Sequence, residues 1–283
     1  MTEMKTLTLG QGDDLITYDV RGDLASGTPL FLFGSPMDAV GFTSLADRFP
    51  DRPVVTYDPR GAGRNPTGTS EVTPLQHAED LHRVVEALGV GPVDAFGSSG
   101  GATNGLALLA THPDDVRRYV GHEPPVSAYL PDRDEVVAAA HRMKEAYERD
   151  GLGAGMARFF GLLMTSGELP AGFADQPTPD PAQFGLPTQD DGDRTNLLFR
   201  NVPSGLDFAV ADSVRDLGDR VVIGVGADSH DELAARGARS VAEHLGVRLV
   251  VFPGGHGGFS GGEYGQPVGD PDGFAATLRE VLG

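Results

Sequence analysis

Ser99 lies in the sequence Phe96-Gly97-Ser98-Ser99-Gly100-Gly101, between a short apolar run and a run rich in helix-forming residues. A G-x-S-x-G spacing at a strand-to-helix junction is typical of a nucleophile elbow, a turn so tight that only glycine fits two residues to either side of the serine. The turn raises the hydroxyl above the sheet, beside free N–H groups at the start of a helix that can hold an oxyanion. The sequence therefore predicts Ser99 as a nucleophile.

The same spacing occurs a second time around Ser260, in Gly258-Phe259-Ser260-Gly261-Gly262. The residues that follow are turn-forming throughout, so that no helix is expected to begin there. We interpret Ser260 as a loop residue.

A serine hydroxyl is a weak nucleophile at neutral pH and needs a base within hydrogen-bond reach. His256 is the best candidate, because it lies in a glycine-rich loop directly after the last predicted strand, at the edge where the carboxyl ends of parallel strands meet. His230 is its main rival. Four other histidines lie within predicted helices, where an exposed surface position is the default: His77, His82, His141 and His244.

The base in turn needs an acid that orients its ring. Asp228 follows the apolar run Val221–Val225 and is the favoured candidate, although an aspartate there could instead cap the next helix. Glu123, which directly follows the predicted strand Tyr119–Gly121, is the rival acid.

Short apolar runs alternate with helix-like segments along most of the chain. This alternation predicts an α/β fold with a doubly wound, mostly parallel eight-stranded sheet. The predicted strands are Lys5–Leu9, Leu15–Val20, Leu30–Phe33, Val54–Tyr57, Val93–Phe96, Tyr119–Gly121, Val221–Val225 and Leu249–Phe252. Outside the interruption described next, helices are predicted after Ala102 and over Pro74–Leu88, Glu232–Leu245 and Pro271–Leu282.

The alternation is interrupted once, by a stretch without strand-like runs. Helices are predicted there over Asp134–Glu148 and Met156–Met164, with a further turn over Asn196–Phe199. We predict a core built from residues 1–123 and 211–283 and a helical cap inserted over residues 124–210. Within the cap, Phe159, Phe160 and Met164 are candidates for lining a substrate pocket, although their helical spacing is also typical of a cap core.

Composition limits the classes of partner. A formal net charge of −19 disfavours nucleic acid and anionic membrane surfaces, which would repel the chain. The absence of cysteine excludes disulfides, cysteine nucleophiles and thiolate zinc sites. We expect a small-molecule substrate and no cofactor or metal, whereas the oligomeric state stays open. The chain starts without an apolar signal-like stretch and has no long apolar run, and we expect a cytoplasmic protein.

The elbow, the order Ser99, Asp228, His256 and two further motifs together resemble the alpha/beta hydrolase superfamily over nearly the whole chain. Asp58-Pro-Arg60-Gly61-Ala-Gly63-Arg64-Asn65 is similar to the family's D-x-R-G-x-G-x-S segment, with Asn65 in place of serine. Phe33-Gly34-Ser35-Pro36 is similar to its H-G-x-P oxyanion loop, with Phe33 in place of the histidine that braces the loop.

This resemblance implies that the backbone N–H groups of Ser35 and Gly100 bind the oxyanion. It implies hydrolysis of a small carboxylic ester, with Ser99 as nucleophile, His256 as base and Asp228 as the orienting acid; Glu123 would then brace the cap. The alternatives are the same triad acting on an amide, thioester or lactone or in acyl transfer, and a non-catalytic ligand-binding member of the fold.

Overall fold

A single eight-stranded sheet forms the centre of the molecule, with the strand order β1-β2-β4-β3-β5-β6-β7-β8. The computed structural model describes residues 4–283, so that residues 1–3 of the predicted first core segment lie outside the described residues. The strands are β1 Met4–Leu9, β2 Ile16–Arg21, β3 Leu30–Phe33, β4 Val54–Tyr57, β5 Val93–Ser98, β6 Val116–His122, β7 Val221–Gly226 and β8 Arg248–Phe252. Strand β2 pairs antiparallel with β1 and β4, and all other neighbours are parallel, which confirms the predicted sheet.

Helices cover both faces of the sheet. They are α1 Thr43–Ala46, α2 Pro74–Leu88, α3 Gly100–Thr111, α4 Arg133–Asp150, α5 Leu152–Leu163, α6 Leu197–Leu206, α7 Leu233–Leu245 and α8 Pro271–Leu282. Apolar side chains of α2, α3 and α7 pack in one cluster with the sheet, and those of α1 and α8 pack in the cluster on the other face. The capping box of Thr73 and Gln76 begins α2, and Gly89 ends it in the left-handed conformation.

Three helices, α4 to α6, are inserted between β6 and β7. We call residues 124–210 the inserted segment; its division from the core as a cap domain stays a prediction. Helix α5 begins at Leu152, four residues before the predicted start, and α6 continues to Leu206 although it contains Pro203. Among the helices described, none combines the length and the apolar character that crossing a membrane requires.

His122 at the end of β6 is fully buried in an aromatic cluster. Its ring lies 5.1 Å from that of Phe274 and 5.6 Å from that of Phe252, between centroids. Neither ring nitrogen has a hydrogen-bond partner among the described residues. Burial therefore disfavours the imidazolium and lowers the pKa of His122 to about 4.

Replacement of this histidine should change the pH dependence of stability. In the unfolded chain this histidine takes up a proton near pH 6.5, whereas in the folded protein it does not. The contribution of His122 to the free energy of unfolding is therefore fully present above pH 6.5 and is lost as the pH falls to about 4. The loss amounts to about 3 kcal/mol by pH 4. Urea denaturation measures the free energy of unfolding at pH 7 and at pH 4. In His122→Phe, the decrease between these two values should be smaller than in wild type by about this amount. His141→Gln, at an exposed position, should keep the wild-type decrease in the free energy of unfolding. A wild-type decrease in His122→Phe would contradict the lowered pKa of His122.

Candidate active site

Ser99 occupies a strained turn between β5 and α3. Its φ of 56° and ψ of −126° lie outside the ordinary regions for a residue with a side chain, and its N–H donates to the carbonyl of His122 at 2.9 Å. A Cβ built on Gly97 would lie 2.8 Å from the Gly101 carbonyl oxygen, and one on Gly101 would lie 2.6 Å from that of Phe33. The tight strand-to-helix turn expected at Ser99 is present, and this close packing explains its glycines; the role of Ser99 as nucleophile stays a prediction.

The imidazole of His256 is hydrogen-bonded to the carboxylate of Glu123. Nδ1 of His256 and Oε2 of Glu123 are 2.6 Å apart, while Oε1 accepts from the backbone N–H of Gly226 at 2.8 Å. The Glu123 side chain is fully buried, and that of His256 is 42% exposed. A bond from Nδ1 leaves Nε2 as the nitrogen that can accept a proton.

Glu123 stays ionised although it is buried. Burial alone would raise its pKa, but the hydrogen bond from His256 and the attraction of the His122 and His256 rings in their protonated forms outweigh it and lower the pKa of Glu123 to about 2. The residue has a φ of 50°, and its N–H donates to the carbonyl of Gly224 at 3.0 Å. The backbone thus turns sharply at the end of β6.

The prediction that Asp228 orients His256 is wrong in this structure. Asp228 lies two residues beyond the end of β7, its side chain is exposed, and its backbone N–H donates to the Gly254 carbonyl at 3.0 Å. Its carboxylate makes no hydrogen bond to any group in the described range. It does not cap α7 either, since the N-cap residue of that helix is Glu232.

The backbones of the two residues predicted to donate to the oxyanion approach each other closely. A Cβ built on Gly100 would lie 2.5 Å from the carbonyl oxygen of Ser35, so that the two backbones are in direct contact. Neither N–H group takes part in a hydrogen bond within residues 4–283. Both residues line the same cavity as Ser99, and their use as donors stays a prediction at this point.

Asp58 holds the loop that follows Ser35. Its buried carboxylate accepts from the backbone N–H of Ala39 at 3.1 Å and from that of Arg64 at 2.8 Å, and it pairs with the Arg64 guanidinium. Asn65, at the position of the expected serine, donates to the carbonyl of Asp58 at 2.7 Å and accepts from the N–H of Thr17. The segment after β4 therefore has a structural role here.

Ser99 and His256 line two adjoining spaces. The first, which we call the inner cavity, has a volume of about 440 Å³ and is lined by residues of α2, α3, α5 and α6. No Asp, Glu, Lys or Arg is among them. The second, the outer cleft, measures about 890 Å³, and its lining includes the carboxylates of Asp38, Asp228, Glu263 and Asp270 but no Lys or Arg.

Two of the three predicted pocket residues line the inner cavity. Phe159 and Phe160 do so together with Met156. Met164 does not, because α5 ends at Leu163 and Met164, beyond the helix end, is 76% exposed. The prediction for Met164 is therefore wrong.

Ser260 lies in a loop, as predicted. Its hydroxyl donates to Oε2 of Glu263 at 2.8 Å and accepts from the N–H of Gly262 at 3.1 Å. A hydroxyl engaged in this way is poorly placed to act as a nucleophile, although Ser260 lines the outer cleft.

Several polar residues of the inner cavity were missed by the sequence analysis, among them His77 and Asn201. His77, expected at the surface, is only 1% exposed, and Asn201 of α6 carried no signal. The burial of His77 could have been found, because it lies four residues before Leu81 and seven before Val84, on the apolar stripe of α2.

One group of possible metal ligands occurs in the described part of the chain: His82, His112 and Asp115. The two imidazole rings are stacked in parallel, 3.7 Å apart at an angle of 6°. Since the ligand lone pairs lie in the ring planes, no single ion can lie in both planes. These residues line neither the inner cavity nor the outer cleft.

A family model described as the alpha/beta hydrolase fold matches residues 12–213. YraK, an uncharacterized hydrolase of Bacillus subtilis, is 28% identical over 250 residues, which cover 87% of each chain. RutD of Caulobacter vibrioides, a candidate carbamate hydrolase, is 32% identical over 124 residues, and the match spans only 45% of its length and 41% of this chain.

Solved structures show the same fold. A thermophilic esterase from Thermogutta terrifontis superimposes with a TM-score of 0.66 at 19% identity, covering 99% of this chain and 98% of the other. An enol-lactonase from Burkholderia xenovorans gives a TM-score of 0.62 at 17% identity, covering 95% and 96%.

Proposed function

The chain is an enzyme of the alpha/beta hydrolase fold family, and on that premise we propose that it is a serine hydrolase that cleaves a small carboxylic ester. The observation that carries the proposal is the 2.6 Å hydrogen bond between His256 and buried Glu123, beside a cavity that Ser99 also lines. The proposed triad is therefore Ser99, His256 and Glu123.

In the proposed mechanism, Nε2 of His256 takes the Ser99 proton while Oγ attacks the ester carbonyl carbon. The imidazolium then gives this proton to the leaving alcohol, and a water molecule releases the acyl group by the same route. Glu123 keeps the hydrogen of the neutral ring on Nδ1 and stabilises the imidazolium that forms. Its pKa of about 2 keeps it ionised throughout the neutral range.

The negative charge that develops on the carbonyl oxygen needs fixed donors. The N–H groups of Ser35 and Gly100 are the proposed pair, since the two residues are in backbone contact and both line the cavity beside Ser99. Each donor of this kind contributes about 100- to 1000-fold to the rate in serine hydrolysis.

The different linings of the inner cavity and the outer cleft indicate where the acyl group and the leaving alcohol of the substrate would bind. The inner cavity has an apolar wall without charged residues, which favours a neutral acyl group, and its volume is at the lower end for ligand sites. The outer cleft would hold the leaving alcohol and admit water. The names esterase and enol-lactonase of two structural neighbours support an ester bond, and the partial match to RutD makes a carbamate the second candidate.

Labelling with a fluorophosphonate tests the nucleophile. Ser99→Ala should abolish labelling and lower kcat for p-nitrophenyl butyrate at least about 10,000-fold, because the acyl-enzyme can no longer form. Ser260→Ala, in the second G-x-S-x-G motif, is the matched control and should keep both fluorophosphonate labelling and turnover. A mass-spectrometric adduct on Ser260 would exclude the proposed nucleophile.

Two carboxylate variants test the triad acid. Glu123→Gln should lower kcat about 1000- to 10,000-fold, because the amide no longer stabilises the imidazolium or fixes its tautomer. Asp228→Asn, at the same edge of the sheet, should stay within a few-fold of wild type. The reverse order of the two losses, with both melting temperatures preserved, would assign the acid to Asp228.

Pocket variants test the position of the acyl group. Phe159→Ala and Phe160→Ala should shift the preference in kcat/KM toward longer p-nitrophenyl acyl esters, because they enlarge the inner cavity. Exposed Met164→Ala should leave the preference unchanged. If the aromatic variants lower only the melting temperature and keep the wild-type profile, these side chains serve packing alone.

A further inference from the structure

Three polar side chains form a hydrogen-bonded row in the wall of the inner cavity. Nε2 of His77 lies 3.3 Å from Oδ1 of Asn201, and Nδ2 of Asn201 donates to Oγ of Ser35 at 2.7 Å. His77 belongs to α2, Asn201 to α6 of the inserted segment, and Ser35 to the loop after β3. All three line the cavity, which is otherwise mostly apolar.

The donors in this row all point toward Ser35. Since the amide of Asn201 donates to Ser35, its oxygen faces His77 and must accept from Nε2–H. Burial lowers the pKa of His77 to about 4, so that the ring is neutral at pH 7 and carries its one hydrogen on Nε2. Oγ of Ser35 already accepts from Asn201, and its own hydrogen has no acceptor among the described residues.

The Ser35 side chain starts beside the nucleophile. A Cβ built on Gly100, the residue after Ser99, would lie 3.4 Å from Cβ of Ser35. Ser35 lines both the inner cavity and the outer cleft, as Ser99 and His256 do. Its hydroxyl hydrogen is therefore free to be donated within a space that Ser99 also lines.

We propose that the Ser35 hydroxyl is a third donor to the oxyanion, and that Asn201, held by His77, positions it. This inference rests on the proposed serine hydrolase function. The hydroxyl keeps its hydrogen and no bond is broken; the hydrogen bond strengthens as negative charge develops on the substrate oxygen. Aligned hydrogen bonds polarise one another, so the row makes this hydroxyl a better donor than an isolated one.

The row also supplies a contact that the sequence motif lacks. At position 33, where the resemblance implies a bracing histidine, Phe33 packs edge-on against Phe31 at 5.0 Å and Tyr57 at 6.4 Å between ring centroids. A phenyl ring cannot hydrogen-bond the loop. Asn201 contacts the loop from the inserted segment instead, so that α6 positions a group beside the reacting bond.

Kinetics with p-nitrophenyl butyrate and inhibition by a phenylboronic acid, which forms a tetrahedral anionic adduct with a nucleophilic serine, test the proposal. Ser35→Ala keeps the backbone N–H and should lower kcat about 10- to 100-fold with KM nearly unchanged. Its affinity for the boronic acid should fall in the same proportion. Ser204→Ala, which removes a hydroxyl of α6 outside the cavity lining, should match wild type.

Two variants of Asn201 separate donation from packing. Asn201→Asp is nearly isosteric, but its carboxylate accepts the Ser35 hydrogen and reverses the row, so that kcat should fall as far as in Ser35→Ala. Asn201→Ala leaves the hydroxyl free to donate and should lose less. A packing role predicts the opposite order, because alanine leaves the larger gap, and that order would overturn the proposal.

The result for Ser99 distinguishes this inference from the proposed function. If Ser99→Ala retains turnover and boronic acid binding, the serine hydrolase function itself fails. If turnover depends on Ser99 while Ser35→Ala stays within twofold of wild type, only the third donor is rejected. Melting temperatures of all variants identify any loss that comes from unfolding.

Discussion

The buried carboxylate of Glu123 joins the parts on which the site depends. It accepts from Gly226 at the end of β7 and from His256 in the loop after β8, and it directly follows the last residue of β6. The carbonyl of the preceding His122 holds the N–H of Ser99. One position thus fixes the nucleophile turn and the imidazole relative to each other. A hydrogen bond to a charged group contributes about 1.5–3 kcal/mol, so loss of either donor would leave this buried carboxylate destabilised.

The same arrangement explains how charge is distributed around the site. Glu123 is closed off from water, and the other carboxylates near Ser99 line only the outer cleft. The inner cavity has no charged lining residue. A hydrogen bond or dipole is stronger in such a low-dielectric space than in water, so that a few N–H and O–H donors can hold a developing oxyanion. The negative outer cleft, in a chain of net charge −19, disfavours anionic substrates.

Much of this could be predicted from the sequence, because it depends on local patterns. All eight strands, the elbow at Ser99 and the capped helix α2 follow from apolar periodicity and turn chemistry. Local patterns could not decide which carboxylate is hydrogen-bonded to His256. Glu123 and Asp228 both follow strands at the same sheet edge, and β6 and β7 are neighbours. The choice depends on a backbone turn with φ of 50° at Glu123 and on the position of Asp228 two residues beyond its strand.

Contacts between distant segments were the least predictable part. Asn201 and Ser35 are separated by 166 residues and meet only because α6 lies over the end of β3. The loop at Ser35 is consequently held from two sides, by Asp58 through Ala39 and by Asn201 from the inserted segment. Helix α6 also contributes Leu198 and Val202 to the cavity wall. A displacement of α6 would therefore change the shape of the cavity and the Ser35 loop together, so that substrate fit and oxyanion geometry depend on one helix.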